Sequence, residues 1–166
     1  MKEATIRGYQ PGDIGAITGM LGTYYAKAWG FGLSFEAEVA TELSAFLVAF
    51  RPQRDGFWVA ARQEETIGCI ALADAGENRG QLRWFMVDPS AQGAGLGRKL
   101  LGESLSFARQ VGYESLFLWT IDGLLAARHL YDAAGFRQVE TQHDSRWGVP
   151  APVQRLVLDL HRHDAV

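Results

Sequence analysis

Between Val87 and Lys99 the chain reads Val-Asp-Pro-Ser-Ala-Gln-Gly-Ala-Gly-Leu-Gly-Arg-Lys, with glycines at 93, 95 and 97. An apolar run precedes this stretch and a leucine stripe follows it, so the glycines fall where a strand turns into a helix. Lacking side chains, they let the backbone come close to a ligand. The unpaired N–H groups and the dipole of a helix start favour an anion. Arg98 and Lys99, in the first helical turn, oppose that dipole unless an anion lies beside them. The chemistry that suits this spacing is the binding of a phosphate or pyrophosphate, with a ligand-free turn of the same composition as the alternative. A Walker A loop would need Gly-Lys-Ser/Thr where this chain has Gly97-Arg98-Lys99-Leu100. A Rossmann fingerprint would need a third glycine where Arg98 stands. The second residue of interest is Tyr131. A phenol with an ordinary pKa near 10 is protonated at neutral pH and can hydrogen-bond or protonate a leaving group. On spacing alone it reads equally well as a helix tyrosine packed on a sheet.

Two segments carry a family resemblance. Gln92-x-x-Gly95-x-Gly97 fits Q/R-x-x-G-x-G/A, and Ala127-Arg128-His129-Leu130-Tyr131-Asp132-Ala133-Ala134-Gly135-Phe136 fits A-x-x-L-Y-x-x-x-G-F. Together they resemble the GNAT superfamily of acyl-CoA-dependent N-acetyltransferases, over residues 81–140. The resemblance implies a single domain over 1–166 with an α/β (α+β) GNAT fold: a mixed, mostly antiparallel sheet of about seven strands flanked by four helices. It implies acetyl-CoA as cosubstrate and no metal. Gln92, Gly93, Ala94, Gly95, Leu96, Gly97 and Arg98 would hold the pyrophosphate, and the backbone of Phe85, Met86 and Val87 the pantetheine and thioester. Tyr131 would serve the leaving thiolate as the amine attacks directly in a ternary complex. The chain departs from the family where many members carry an asparagine seven residues before this tyrosine; here Leu124 stands, with Asp122 two residues earlier. A narrower likeness links Leu118-Trp119-Thr120, His143, Trp147-Gly148 and Gln154-Arg155 to acetyltransferase halves of winged-helix-regulator fusion proteins. A catalytically silent CoA-binding or sensor module is the rival reading, and a homodimer is a family-level expectation.

The acceptor side is expected at the connection of the first two helices. Tyr25, Trp29, Phe31 and Glu36 are the candidate substrate contacts there, an aromatic wall with a carboxylate for an ammonium group. The same aromatics would equally serve to pack the helix pair. Read as a site, they point to a small-molecule amine and not to a peptide. Glu36, Glu140 and His143 are candidate bases, although most carboxylates are simply solvated. Cys69 lies inside a strand and reads as a small buried hydrophobe. His161-Arg162-His163 is terminal and reads as a tail. No histidine or carboxylate set has metal-ligand spacing.

The elements that must position these residues follow from periodicity. Strands are expected at Thr5–Tyr9, Phe57–Arg62, Thr66–Ala73, Leu82–Val87, Leu116–Ile121, Phe136–Glu140 and Val153–Leu160. Helices are expected from Asp13, near the N-cap, to about Lys27, from Ser34 through Leu47, from Leu96 to Val111, and from Leu124 to Ala134. The length of 166 residues suits one domain able to bury a core without staples. With 48% hydrophobic and 21% charged residues the chain is not disordered. The net charge of -3 shows no basic stripe, which argues against nucleic acid. No run of 18 apolar residues is present, so no membrane partner is expected. One cysteine permits no internal disulfide and, with no leader-like start, suggests the cytoplasm.

Overall fold

Alternating apolar residues and glycine punctuation yield eleven elements in a computed structural model that describes residues 3–161, so Arg162 and His163 of the terminal group lie outside it. They are β1 (Thr5–Arg7), α1 (Asp13–Trp29), α2 (Leu33–Val48), β2 (Gly56–Arg62), β3 (Glu65–Asp74), β4 (Arg79–Val87), α3 (Leu96–Val111), β5 (Ser115–Ile121), α4 (Leu125–Ala134), β6 (Arg137–Asp144) and β7 (Ala151–Asp159). The order is the expected one. Helix α3 stops at Gly112, whose backbone N–H donates to the carbonyls of Ala108 and Arg109. Asp13 opens α1, beside the cap position as expected. Gly12 holds the cap position, and Asp13, only 3% exposed, turns back toward the strand before it. Its carboxylate accepts from Arg7 Nη1 and Nη2 at 2.8 and 3.0 Å and from the Gln10 N–H at 2.6 Å. A buried charge needs such partners, and these tie β1 to α1.

The seven strands form one sheet in the order β1-β2-β3-β4-β5-β7-β6. Every pairing is antiparallel except β4 with β5. That parallel pair is short. Only Arg79, Gly80 and Gln81 pair, with Ser115, Leu116 and Phe117; beyond them the two strands part. Opposite this gap β4 carries a bulge: between the pairs Ala71–Arg83 and Cys69–Met86, Trp84 and Phe85 face the single residue Ile70. Trp84 absorbs the extra residue at φ 50, a conformation costly for a large side chain. The Cys69 thiol donates to its carbonyl at 3.0 Å.

Helices cover both faces of the sheet. On one, Leu100, Leu101, Leu105 and Ala108 of α3 pack with Ile70, Leu72, Leu116 and Leu156. Each fully buried leucine contributes roughly 1.5–3 kcal/mol, enough to fix α3 and hence the loop that starts it. On the other face, Ile17, Leu21, Val39 and Leu43 pack with Val59, Cys69 and Met86. A third cluster joins Phe31 and Trp147 to Ile121, Ala151 and Val153.

Candidate active site

The gap between β4 and β5 opens into two cavities. The larger, of about 760 Å³, is lined by Phe85, Met86, Val87, Gln92, Gly93, Gly95, Leu96, Gly97 and Arg98, together with the start of α4. Of the ten residues expected at the cofactor, only Ala94 does not line it. The loop is built to present backbone. Asp88 accepts from the N–H and hydroxyl of Ser90 at 2.9 and 2.6 Å, forming a one-turn 3₁₀ segment, Pro89–Ala91. Gly93 and Gly95 then take φ 88 and 81, and α3 begins. The first α3 bond of this turn runs from the Lys99 N–H to Gly95 O at 3.1 Å. The N–H groups of Leu96, Gly97 and Arg98 therefore have no intrahelical acceptor and can meet an anion.

Strand β4 adds to this set. The Asp88 N–H donates to Ile67 O at 2.8 Å, so it faces β3. By the two-residue alternation of a strand, Met86 faces β3 as well, while Val87 turns its backbone groups into the gap. Gln92 Nε2 donates to Val87 O at 3.0 Å, consistent with that direction. The glutamine thus pins the loop to the strand. Phe85, inside the bulge, lines the cavity beside it.

The smaller cavity, of about 420 Å³, meets the larger at Tyr25, Phe85, Leu124 and Ala127, which line both. Tyr131 lines the smaller one beside that junction. Leu124, where the family pattern has asparagine, offers only apolar surface there. The acceptor-side expectations divide. Tyr25 is at the junction. Trp29 lies in the larger cavity, over the Gly123 backbone. Phe31 lines neither cavity. It is 3% exposed and packs in the third cluster, against Tyr25, Phe35 and Trp147. Glu36 also lines neither; its stem lies against Gly22 of α1. Glu140 and His143 stand exposed on β6.

Other carboxylates occupy the cavity: Glu38 and Glu42 from α2 and Asp144 from β6, with Arg83 and Arg146. Arg83 Nη2 pairs with Glu42, and its guanidinium lies 4.2 Å over the Trp84 ring. Arg146 pairs with Asp144 at 2.9 Å and with Glu38 at 3.4 Å. Glu38 also accepts from Trp147 Nε1. The loop bearing Trp147 is strapped to the start of α2: the Gly32 N–H donates to Trp147 O and the Ser34 hydroxyl to Arg146 O, both at 3.0 Å. One sequence signal for these residues existed. Phe35, Val39 and Leu43 form an apolar stripe on α2, and Glu38 and Glu42 flank it.

Tyr131 is the one buried residue of α4, its ring 5.8 Å from those of Phe85 and Phe136. Burial, and secondarily the Tyr25 phenol, push its pKa far above the usual tyrosine value. Tyr25 is likewise raised by burial and then by Tyr24. Both phenols stay neutral donors at any working pH. Because the folded values lie above the unfolded one, the stability linked to them is whole below pH about 10 and declines as pH rises further. In an alkaline titration followed by phenolate absorbance, these two tyrosines are expected to ionise only as the chain unfolds. Their ionisation at ordinary tyrosine pH with an intact circular dichroism spectrum would contradict the buried placement.

Three comparisons agree with this geometry. The sequence model of the Acetyltransferase (GNAT) family matches residues 20–136. A protein named as an uncharacterized N-acetyltransferase of Schizosaccharomyces pombe is 32% identical over 124 residues, 73% of this chain and 75% of its own. The N-acetylaspartate synthetase of Danio rerio is 31% identical over 113 residues, 66% of this chain but only 40% of its own. Among solved structures, a Salmonella typhimurium protein assigned as an acetyltransferase, with its cofactor acetyl-CoA, matches with TM-score 0.74. That match has 19% identity and covers 99% of this chain and 98% of the other, a likeness of fold.

Proposed function

The chain belongs to the GNAT family of acetyltransferases, and we propose that it transfers the acetyl group of acetyl-CoA to the primary amine of a small molecule, by direct attack with both substrates bound. The observation that carries this reading is the meeting of two cavities where β4 and β5 part, one lined by an anion-binding loop and the other by carboxylates and aromatics. CoA pyrophosphate would rest on the N–H groups of Leu96 to Arg98, and the pantetheine arm along β4. The thioester oxygen would accept from the β4 backbone at the junction, a donor fixed before reaction. Attack by the neutral amine forms the amide C–N bond, breaks the thioester C–S bond and expels the CoA thiolate toward Tyr131, while the surplus proton of the nitrogen passes to solvent. A thiol has an ordinary pKa near 8.5, well below that of this buried phenol, so Tyr131 would stabilise the thiolate by hydrogen bonding more than by handing over its proton. Glu38 and Asp144 take the place of Glu36 as the groups beside an incoming ammonium.

A small acceptor is supported by the Trp147 loop, which is tied to the start of α2 and adds Arg146 and Trp147 to the lining of the smaller cavity, where an extended peptide would need an open groove. The name of one relative, N-acetylaspartate synthetase, refers to a small N-acetylated molecule as the product of that enzyme. No described helix is long and apolar enough to cross a membrane. A cytoplasmic setting, a single domain and a homodimer complete the reading. The test is release of CoA thiol from acetyl-CoA against a panel of small amines and lysine-bearing peptides. Small primary amines should accelerate release. Acetyl-CoA binding without amine-dependent release would make the chain a silent binding module, and acceleration by peptides alone would refute the small acceptor.

A further inference from the structure

We infer that the acceptor is an apolar α-amino acid whose carboxylate is held by Arg83, a substrate class that rests on the acetyl-transfer reading above. Arg83 stands on β4 two residues before Phe85, past the last position at which β4 pairs with β5. Of the two cations of the smaller cavity it is the less engaged, with one carboxylate against two for Arg146. Arg146 is engaged by two carboxylates. Arg83 gives Nη2 to Glu42 alone, and among the described residues its Nε and Nη1 donate to no protein group. A guanidinium carries five donors in a fixed fork, so one carboxylate leaves room for a second.

The guanidinium is also held in place. It stacks on Trp84, whose backbone is fixed by the bulge and by the Cys69 thiol. A pre-ordered arginine loses little freedom when it takes an anion. The placement suits an α-amino acid. Arg83 precedes Phe85 by two residues, across the Trp84 bulge, and both line the smaller cavity, so the guanidinium and the junction border one space. With the carboxylate on Arg83, the α-amine reaches the junction beside Phe85 and Tyr131. The Glu38–Arg146–Asp144 group carries one net negative charge, which attracts the ammonium form before it loses its proton. Phe35, Trp119 and Trp147 are left to surround an apolar side chain. A monoamine without a carboxylate would leave the Arg83 donors unused.

The test pairs apolar amino acids with their decarboxylated amines: leucine with 3-methylbutylamine, phenylalanine with phenethylamine, tryptophan with tryptamine. Binding to the CoA-saturated protein is measured by calorimetry, for wild type, Arg83→Gln and Arg83→Lys. Arg83 and Glu42 are both partly exposed, so the variants should fold, which thermal melting checks. At least one amino acid should bind about tenfold more tightly than its amine, and Arg83→Gln should erase that difference while leaving the amine within about twofold. Arg83→Lys should restore part of it. In turnover, Arg83→Gln should raise KM for the amino acid and leave kcat nearly unchanged. The inference is overturned if every amine binds as tightly as its amino acid, or if Arg83→Gln weakens both members of a pair alike. Arg83-dependent binding without thiol release would keep the carboxylate site and remove the acetyl-transfer reading. Thiol release from all pairs alike, unaffected by Arg83→Gln, would do the reverse.

Discussion

Tyr131→Phe is expected to lower kcat on the order of 10- to 10⁴-fold, the range for loss of a group that hydrogen-bonds or protonates the leaving group, with CoA affinity retained. The substitution keeps the ring that packs against Phe85 and Phe136, so fold and cavity shape should persist. It deletes one hydroxyl. That hydroxyl belongs to a phenol that burial keeps protonated, so its loss leaves the departing thiolate without that donor in a site shielded from water. The size of the effect depends on how much thiolate charge develops before the amine loses its proton. The measurement is kcat under conditions where chemistry limits turnover, alongside the CoA dissociation constant. Wild-type turnover by the purified variant would remove Tyr131 from the mechanism.

The second large effect concerns the loop. Gly95→Val should weaken CoA binding about 10- to 100-fold, or roughly 1.4–2.8 kcal/mol. Space is not the obstacle, because a Cβ at this position would meet nothing within 4 Å. The obstacle is the backbone, held at φ 81 and ψ 8 as α3 begins. A β-branched residue strongly resists that left-handed conformation. The chain would relax it by turning the N–H groups of the first helical turn away from their common direction. Gly102→Ala, on the same helix and equally open, should leave affinity unchanged and slightly favour the helix. Equal affinity of Gly95→Val and wild type in titration calorimetry would show that the loop does not hold the pyrophosphate.

The sequence revealed the donor end of the cleft better than the acceptor end, for a physical reason. Gln92 to Arg98 are contiguous, and the role proposed for them depends on backbone conformation, which glycine spacing reports directly. Helix ends at Gly112 and Gly135 were legible on the same ground. The parting of β4 from β5 was not. Leu82 and Trp84–Val87 are apolar whether or not their backbone is paired, and pairing with residues 36 positions away leaves no local mark. The Trp84 bulge is hidden likewise, since nothing in Arg-Trp-Phe-Met signals an extra residue. Glu36 failed through helix phase. At about 100° per residue, Glu36 and Glu42 fall on opposite flanks of the Val39–Leu43 stripe; one flank meets α1 and the other the cavity, and which is which depends on how α1 packs. Phe31 failed because an aromatic on a connection serves a core as readily as a ligand.

The two ends of the cleft are also made of different material, and this bears on how such a protein changes over generations. The end proposed for the acyl donor is largely main chain: helix-start N–H groups and the free side of β4. Substitutions at its non-glycine positions leave those groups where they are. The acceptor end is side chains, contributed by α2, β4, β5, β6 and the Trp147 loop. Several of its charged members are partly exposed, so replacing one costs the sheet little. Mutation can therefore rewrite the choice of amine while the handling of the acyl donor is inherited intact. Descendants of one ancestor can diverge in diet without reinventing their chemistry.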